Sequence, residues 1–348
     1  MNATTLSFVG VDVAKNVFQA YEVMPGSGEI RNIALRRAKF LAYFVNHAPC
    51  VIGMEACGGA QHWARELIKL GHEARLMPAR AVKAFVTGNK SDAIDAKAIW
   101  MAVRHEGIKF VAIKSECRQG ILAIHRMRAQ LMKTRIMQSN ELRGLLTEHG
   151  EVCARGEKAL SENIAPMLER VRERLPAVVV DSLRELWARI GVADGEITVL
   201  EKRLKLLLKE DKNAQRIFEI PGVGLLSATA ASAMIGDDPH AFKSGRQFSA
   251  WIGLVPAHTG TGGKTRMLGL SGRGDPYLRT LLMHGARSVL LHTKNPSPWL
   301  QAMLRRRPVN VVVTAIANKM ARTIWALLAH GRDYEPNHRG VGPLAPRG

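Results

Sequence analysis

The apolar positions of the first hundred residues fall into short uninterrupted runs separated by polar turns, the pattern of buried strands. "LSFVGVD" reads as a strand that runs into Asp12, and "VFQAYEV" (Val17–Val23) as a second strand able to pair with it as a hairpin. After a polar connection, "CVIGME" (Cys50–Glu55) is a third strand ending on an acid. Gly58-Gly59 then leads into the helical pattern "QHWARELIKLG", with Gly71 as its C-cap. "HEARLM" is a further strand, Pro78 opens another helical stretch, and a helix is predicted from about Ala93 to His105. Strands first and helices interleaved later predict an α/β domain over residues 1–112, a mixed sheet with flanking helices.

Over 113–212 the strand signal vanishes. Leu183, Leu186, Ile190, Ala193, Ile197, Leu200, Leu204 and Leu207 alternate steps of three and four, an a/d heptad seam with charges on the other faces. A coiled-coil dimerisation contact between subunits is the expectation, with an intramolecular helical hairpin as the alternative. A mainly α domain over 213–332 begins at "FEIPGVGLLSATAASAMIG". Its Pro221-Gly222-Val223-Gly224 turn resembles a helix-hairpin-helix turn that offers N–H groups to a phosphate, or else makes a simple helix corner. "GTGGKTRMLGLSGRGDPYLR" is glycine-rich and basic and is predicted as a loop. Two more helical patterns precede a Pro/Gly-rich tail, 333–348, expected to be flexible. No apolar stretch is expected to reach the length of a membrane span.

Composition sharpens this picture. A chain of 348 residues with 47% apolar side chains is globular and long enough for two or three domains. Its net charge of +20 implies a polyanionic partner, nucleic acid before a ribosomal-type structural role or an anionic membrane surface. The excess is uneven: net +5 over 1–112, +4 over 113–212 and +11 over 213–348. The last third is therefore the expected main polyanion surface. Cys50, Cys57, Cys117 and Cys153 form no CxxC pair and no zinc spacing, as for reduced thiols in a cytoplasmic protein. "MNATTLSFVGVDVAK" lacks the basic start and cleavage site of a signal peptide, and no membrane partner is expected.

Against that basic background the acids stand out. Asp12 and Glu55 end two strands, while Asp92 and Asp95 share one face of a helix start. Singly, Asp92 could be an N-cap, Asp95 a first-turn acid and Asp12 a turn residue. Together they form a set of hard oxygen ligands suited to Mg²⁺ or Mn²⁺. Two such ions about 4 Å apart can activate a nucleophile and stabilise the leaving oxygen of a phosphodiester.

"GVDVAKNVFQA", "GMEACGGAQHWARELIKLGHEARLM" and "VKAFVTGNKSDAIDAKAI" resemble the N-terminal domain of DEDD transposases. These form the insertion-sequence family numbered one hundred and ten, here its eleven-eleven branch, related to the pilin-gene invertase. "PGVGLLSATAASAMIG", "FKSGRQFSAWIGLVP" and "GGKTRMLGLSGRGDPYLRTLLMHGAR" resemble the same family's C-terminal transposase domain. The resemblance runs from about residue 8 to 330. It implies an RNase H-like, RuvC-like first domain with Asp12, Glu55, Asp92 and Asp95 as catalytic metal ligands. It further implies DNA strand exchange through a transient covalent link to a serine, recognition through a structured guide RNA from the element, and a homo-oligomer, dimers pairing into a tetramer. The family's serine follows the "GLVP" segment, where this chain reads "VPAHTGTGGKTR". Thr261 or Thr259 stands in its place, and Ser271 is the first serine downstream. Ser271 is equally readable as a turn or cap residue. Lys264, Arg266, Arg273 and Arg279 are candidates for phosphate contacts, and Arg305–Arg307 are a basic run or a solvated helix end. On the residues alone a resolvase-type nuclease using water, or a non-catalytic binding scaffold, remains open beside the transposase.

Overall fold

Each apolar run of the first third becomes a strand or a helix packed on one. In a computed structural model, residues 6–89, 91–272 and 274–336 are described. The chain divides into two compact units, residues 1–117 with 236–241, and residues 118–235 with 242–348.

The first unit contains β1 (Ser7–Asp12), β2 (Val17–Val23), β3 (Ile30–Arg36), α1 (Phe40–Val45), β4 (Cys50–Glu55), α2 (Ala60–Lys69), β5 (Glu73–Met77), α3 (Ala79–Lys83) and α4 (Asp92–Val103). Its five strands lie in the order β3-β2-β1-β4-β5. β2 pairs antiparallel with both β1 and β3, whereas β4 runs parallel to β1 and β5. β3 and α1 occupy what the sequence presents as a polar connection. An edge strand with one fully buried residue in seven carries almost no apolar signal.

Because side chains alternate along a strand, β1 and β4 each feed two cores. Val9, Val11, Ile52 and Met54 join Phe18, Phe40, Phe44 and Trp63 beneath α1 and α2. Val51 packs on the other face with Ala98, Ile99, Ala102 and Val103 of α4, where Phe8 also lies. Gly10 is what lets α4 come so near: a Cβ there would sit 2.4 Å from the Ala96 carbonyl oxygen and the Trp100 nitrogen. The Trp100 indole also donates to the Phe8 carbonyl at 3.0 Å. With Trp100 beside Phe8 and Ala96 beside Gly10, α4 runs antiparallel to β1.

The second unit is built from α5 (Glu116–Glu148), α6 (Glu157–Arg172), α7 (Ala177–Glu210), α8 (Lys212–Phe218), α9 (Leu225–Ile235), α10 (Gly245–Ile252), β6 (Pro256–Thr261), β7 (Lys264–Leu270), α11 (Pro276–His292), α12 (Pro298–Arg306) and α13 (Val309–His330). The heptad seam of α7 packs inside the chain, as the helical-hairpin alternative has it. Leu183 and Ile190 pack with Leu142, Leu146 and Leu160, while Leu204 packs with Ile121 and Ala233. Ion pairs Arg128–Glu201 and Arg135–Asp194 fix α5 antiparallel beside α7.

The Pro221–Gly224 turn joins α8 to α9, the helix–turn–helix that both readings of it require, and a Cβ on Gly222 would lie 2.6 Å from the Gly285 carbonyl of α11. Two expectations change here. The predicted glycine-rich loop contains a two-stranded ribbon, β6 against β7, turned at Gly262-Gly263 with φ 57° and 78°. α13 does have the length and apolar composition of a membrane span, which corrects the expectation that no stretch reaches it. Half of that window is buried, with Val312, Val313, Ile316, Ala317 and Met320 in the core of this unit.

Candidate active edge and basic ribbon

Strand alternation decides where the acids point. Asp12 follows Phe8 and Gly10 in phase, and Glu55 follows Val51 and Gly53, so both carboxylates belong to the α4 face. They stand one step beyond the last paired register of the parallel strands, Val11 with Met54. Since α4 runs antiparallel to β1, its first turn with Asp92 and Asp95 lies at this same end. The start of α4 is tied there by Asn32, whose side-chain amide accepts from Gln19 and donates to the Ala93 carbonyl at 3.3 Å. Gln19 is in turn the pairing partner of Asp12.

The N-cap of α4 is Ser91, whose hydroxyl accepts from the Ile94 amide at 3.4 Å. Asp92 is therefore not the cap. The carboxylates of Glu55, Asp92 and Asp95 make no hydrogen bond or ion pair among the described residues. Cys57 reports on the same edge: burial pushes its thiol up, and the charges of Glu55 and Asp12 push it further. Among the described residues no three His, Cys, Asp or Glu side chains stand close enough to hold a metal ion. The four acids share one face and one end of the sheet without closing around a point, as expected of like charges that repel.

In the second unit Thr259 opposes Arg266 and Thr261 opposes Lys264 across the ribbon, so these four side chains share one exposed face. Ser271 lies just past β7. Its amide donates to the Val255 carbonyl at 3.0 Å, and its buried Oγ has no partner among the described residues. Arg279 is turned to a structural task, donating to the Ile252 carbonyl at the end of α10 at 2.8 Å. Arg305 and Arg306 close α12. Arg273 lies outside the described residues, as does the tail from 337.

Residues 9–150 match the DEDD transposase model of the IS110 group, described as a transposase, and residues 214–302 match the transposase IS116/IS110/IS902 family. A "Probable family 20 transposase" of Pseudomonas aeruginosa is 41% identical over 336 residues, 95% of this chain and 99% of that protein. The transposase for insertion sequence element IS1111A of Coxiella burnetii is 38% identical over 94% of this chain and 91% of its own length. The transposase for insertion sequence element IS1328 of Yersinia enterocolitica is 33% identical, covering 94% and 98%.

The chain belongs to the IS110 transposase family. It is a DNA transposase, and its mixed α/β architecture with a mixed central sheet is consistent with a DEDD nuclease-like fold. Four carboxylates with hard oxygen donors, three of them without a partner among the described residues of a chain of charge +20, fit a divalent cation in chemistry. Sequence patterning found these acids because each ends or opens an apolar run. It missed Ser91, Gln19 and Asn32, which position the IS110 transposase's α4. Their only sequence signal is a serine three residues ahead of an apolar helix face.

Proposed function

We propose that this IS110-family transposase cuts and exchanges DNA strands, with Asp12, Glu55, Asp92 and Asp95 as ligands for Mg²⁺ or Mn²⁺. The reading rests on one observation, that neighbouring parallel strand ends and the first turn of α4 bring four acids to one face and one end of the sheet. The strand order β3-β2-β1-β4-β5 supports an RNase H-like, RuvC-like assignment for this unit. Bound there, the cations would supply charge to a phosphodiester and lower the pKa of an attacking hydroxyl. The chain's own residues do the positioning. Ser91 and Asn32 hold the start of α4, and Gly10 sets its height over β1.

Strand exchange conserves phosphodiester energy if a protein hydroxyl replaces a sugar hydroxyl on phosphorus. The hydroxyl oxygen forms the new P–O bond, the P–O bond to the leaving sugar oxygen breaks, and that oxygen takes up the proton the hydroxyl loses. Thr261 is exposed on a ribbon face with Lys264 and Arg266, and Ser271 has an unpartnered Oγ, so these two are the candidates, with Thr259 beside Thr261. A structured guide RNA and assembly as a homo-oligomer complete the proposal, on the strength of the family and the charge of the last third. The described layout would then be a catalytic domain over 1–112, a helical region over 113–212 and a transposase domain over 213–332.

The test incubates purified protein with its co-purifying RNA, Mg²⁺ and junction DNA, and maps any attached residue by mass spectrometry. Cleavage that needs a divalent cation, falls roughly 10²–10³-fold in Asp12→Asn while binding persists, and leaves DNA on Thr261 or Ser271 is the expected result. Wild-type cleavage by Asp12→Asn would sink the carboxylate assignment. Cleavage without any adduct would leave a hydrolytic nuclease.

A further inference from the structure

We infer that the start of α2 is an anion site that grips a backbone phosphate of the DNA strand lying beside the carboxylate edge. This goes one step beyond the reading above and rests on it, because it takes the polyanion at this edge to be the strand being cut.

α2 follows β4 after the Ala56–Gly59 loop, so it starts at the sheet end where Glu55 and Asp12 stand, and Cys57 in that loop donates to the carbonyl of Val13, the residue after Asp12, at 3.9 Å. Helices usually open on a Ser, Thr, Asp or Asn that accepts from the first amides. α2 opens on Gly59, at φ 90°, with no side-chain cap and no acid in its first turn. The amides of Gln61 and His62 find no acceptor among the described residues. Open amides at the positive end of a ten-residue helix suit a phosphate.

A second donor, independent of the backbone, points to the same place. Trp63 is 6% exposed, and its indole N–H is buried without an acceptor among the described residues. Leaving such a donor dry is costly, and native chains rarely do it without a reason. That nitrogen lies 3.9 Å from where a Cβ on Gly59 would sit. Because Gly59 lacks a side chain, the indole edge borders the helix start. A phosphate seated over Gly59 would give the open amides their acceptor and bring an oxygen towards the buried indole N–H.

A cation completes the set. Arg37 is exposed, and its guanidinium lies 4.9 Å over the Trp63 ring and 5.9 Å from the Phe18 ring centre. One arm donates to the Lys15 carbonyl at 3.4 Å, and no carboxylate pairs with it among the described residues. Stacked and tethered in this way, the fork is fixed over the aromatic cluster with donors to spare. Glu55 so close by repels a free dianion, which favours a singly charged phosphodiester held by its strand.

The experiment uses the full chain and labelled junction DNA, with binding measured across a salt series. Arg37→Ala should weaken binding about tenfold and lower the slope of log affinity against log salt by about one. Trp63→Phe keeps an aromatic ring and removes the N–H, so it should weaken binding several-fold with the slope unchanged. One uncharged methylphosphonate placed along the strand should cost the wild type as much as Arg37→Ala does, and cost Arg37→Ala nothing more. Wild-type affinity and slope in Arg37→Ala would overturn the site, as would full additivity with every methylphosphonate. A loss confined to guide RNA, with DNA binding intact, would overturn the DNA assignment. If Trp63→Phe melts early, the Arg37 and methylphosphonate cycle decides alone. Asp12→Asn separates the two claims: if it still cleaves, the carboxylate reading fails while the salt slope continues to judge the phosphate site.

Discussion

Single residues set this chain's chemistry through phase as much as through identity. Asp12 and Glu55 matter because they fall in step with Phe8–Gly10 and Val51–Gly53, and a strand shifted by one residue would turn them into the opposite core. That much is legible in sequence, since an acid at the end of an apolar run announces itself. The cap of α4 is less legible, because Ser91 and Asp92 are both good caps on paper and only the Ser91 bond to the Ile94 amide decides. Ser91→Ala should cost about 1 kcal/mol in thermal unfolding and lower cleavage, since it loosens the turn that carries Asp92 and Asp95. Equal cleavage at unchanged stability would show that the cap is idle. Not legible at all is the cluster of Glu22, Tyr43 and His47, which come from β2, α1 and the turn after α1. The buried Glu22 carboxylate accepts from the Tyr43 hydroxyl and pairs with the His47 ring, each at 2.8 Å. Cys50 and Glu22 beside it raise His47 to about 10, and the bond from His47 pulls Glu22 down. An unfolded imidazole titrates near 6.5, so this stabilisation is complete below that pH and drains away as the pH climbs towards about 10. Glu22 contributes in the other direction, losing its share as acid protonates it below the ordinary glutamate value. Melting temperature against pH should therefore fall on the alkaline limb, and His47→Gln should flatten that fall.

At the scale of elements, what the sequence hides is the partner of each segment. The heptad seam of α7 is plain in the spacing, yet spacing names no partner, and the seam is used within the chain against α5, α6 and α9. The polar signals that fix this pairing, Arg128 with Glu201 and Arg135 with Asp194, are more than fifty residues apart and invisible to a local window. β3 and the β6–β7 ribbon were unreadable for a different reason. β3 buries only Leu35 fully and the ribbon no residue, so neither shows a sustained period-two alternation, and the Thr/Gly composition of the ribbon reads as loop. The seam yields a sharp test. Leu204 is fully buried, and Leu204→Ala should cost about 2–5 kcal/mol with a melting shift independent of protein concentration. A seam shared between copies would instead make both the wild-type midpoint and the shift rise and fall with concentration. A concentration-dependent loss would return α7 to the role first expected of it.

For the whole molecule, charge separates the two kinds of work. The carboxylate edge occupies a first third of net +5, whereas the last third holds +11 with only six acids in 136 residues. The ribbon from Pro256 to Leu270 has no acid at all, and Lys264 and Arg266 project from one face of it beside Thr259 and Thr261. A two-stranded ribbon without a buried face gains nothing for the core, so its exposure is best explained by what it touches. It is narrow enough to enter the major groove of a DNA duplex, where hydroxyls and cations reach phosphates and base edges. Each phosphate neutralised releases counterions, so the salt slope of binding counts the contacts. Replacing Lys264 and Arg266 together by glutamine should lower that slope by about two and weaken binding to all duplex sequences alike. Cleavage per bound complex should change little, because neither cation belongs to the carboxylate edge. An unchanged slope would assign both charges to solvent and move the polyanion surface of the last third to the basic end of α12. A slope that falls together with cleavage per complex would mean that the ribbon positions the reacting strand as well as holding it, and would favour Thr261 over Ser271 as the linking hydroxyl.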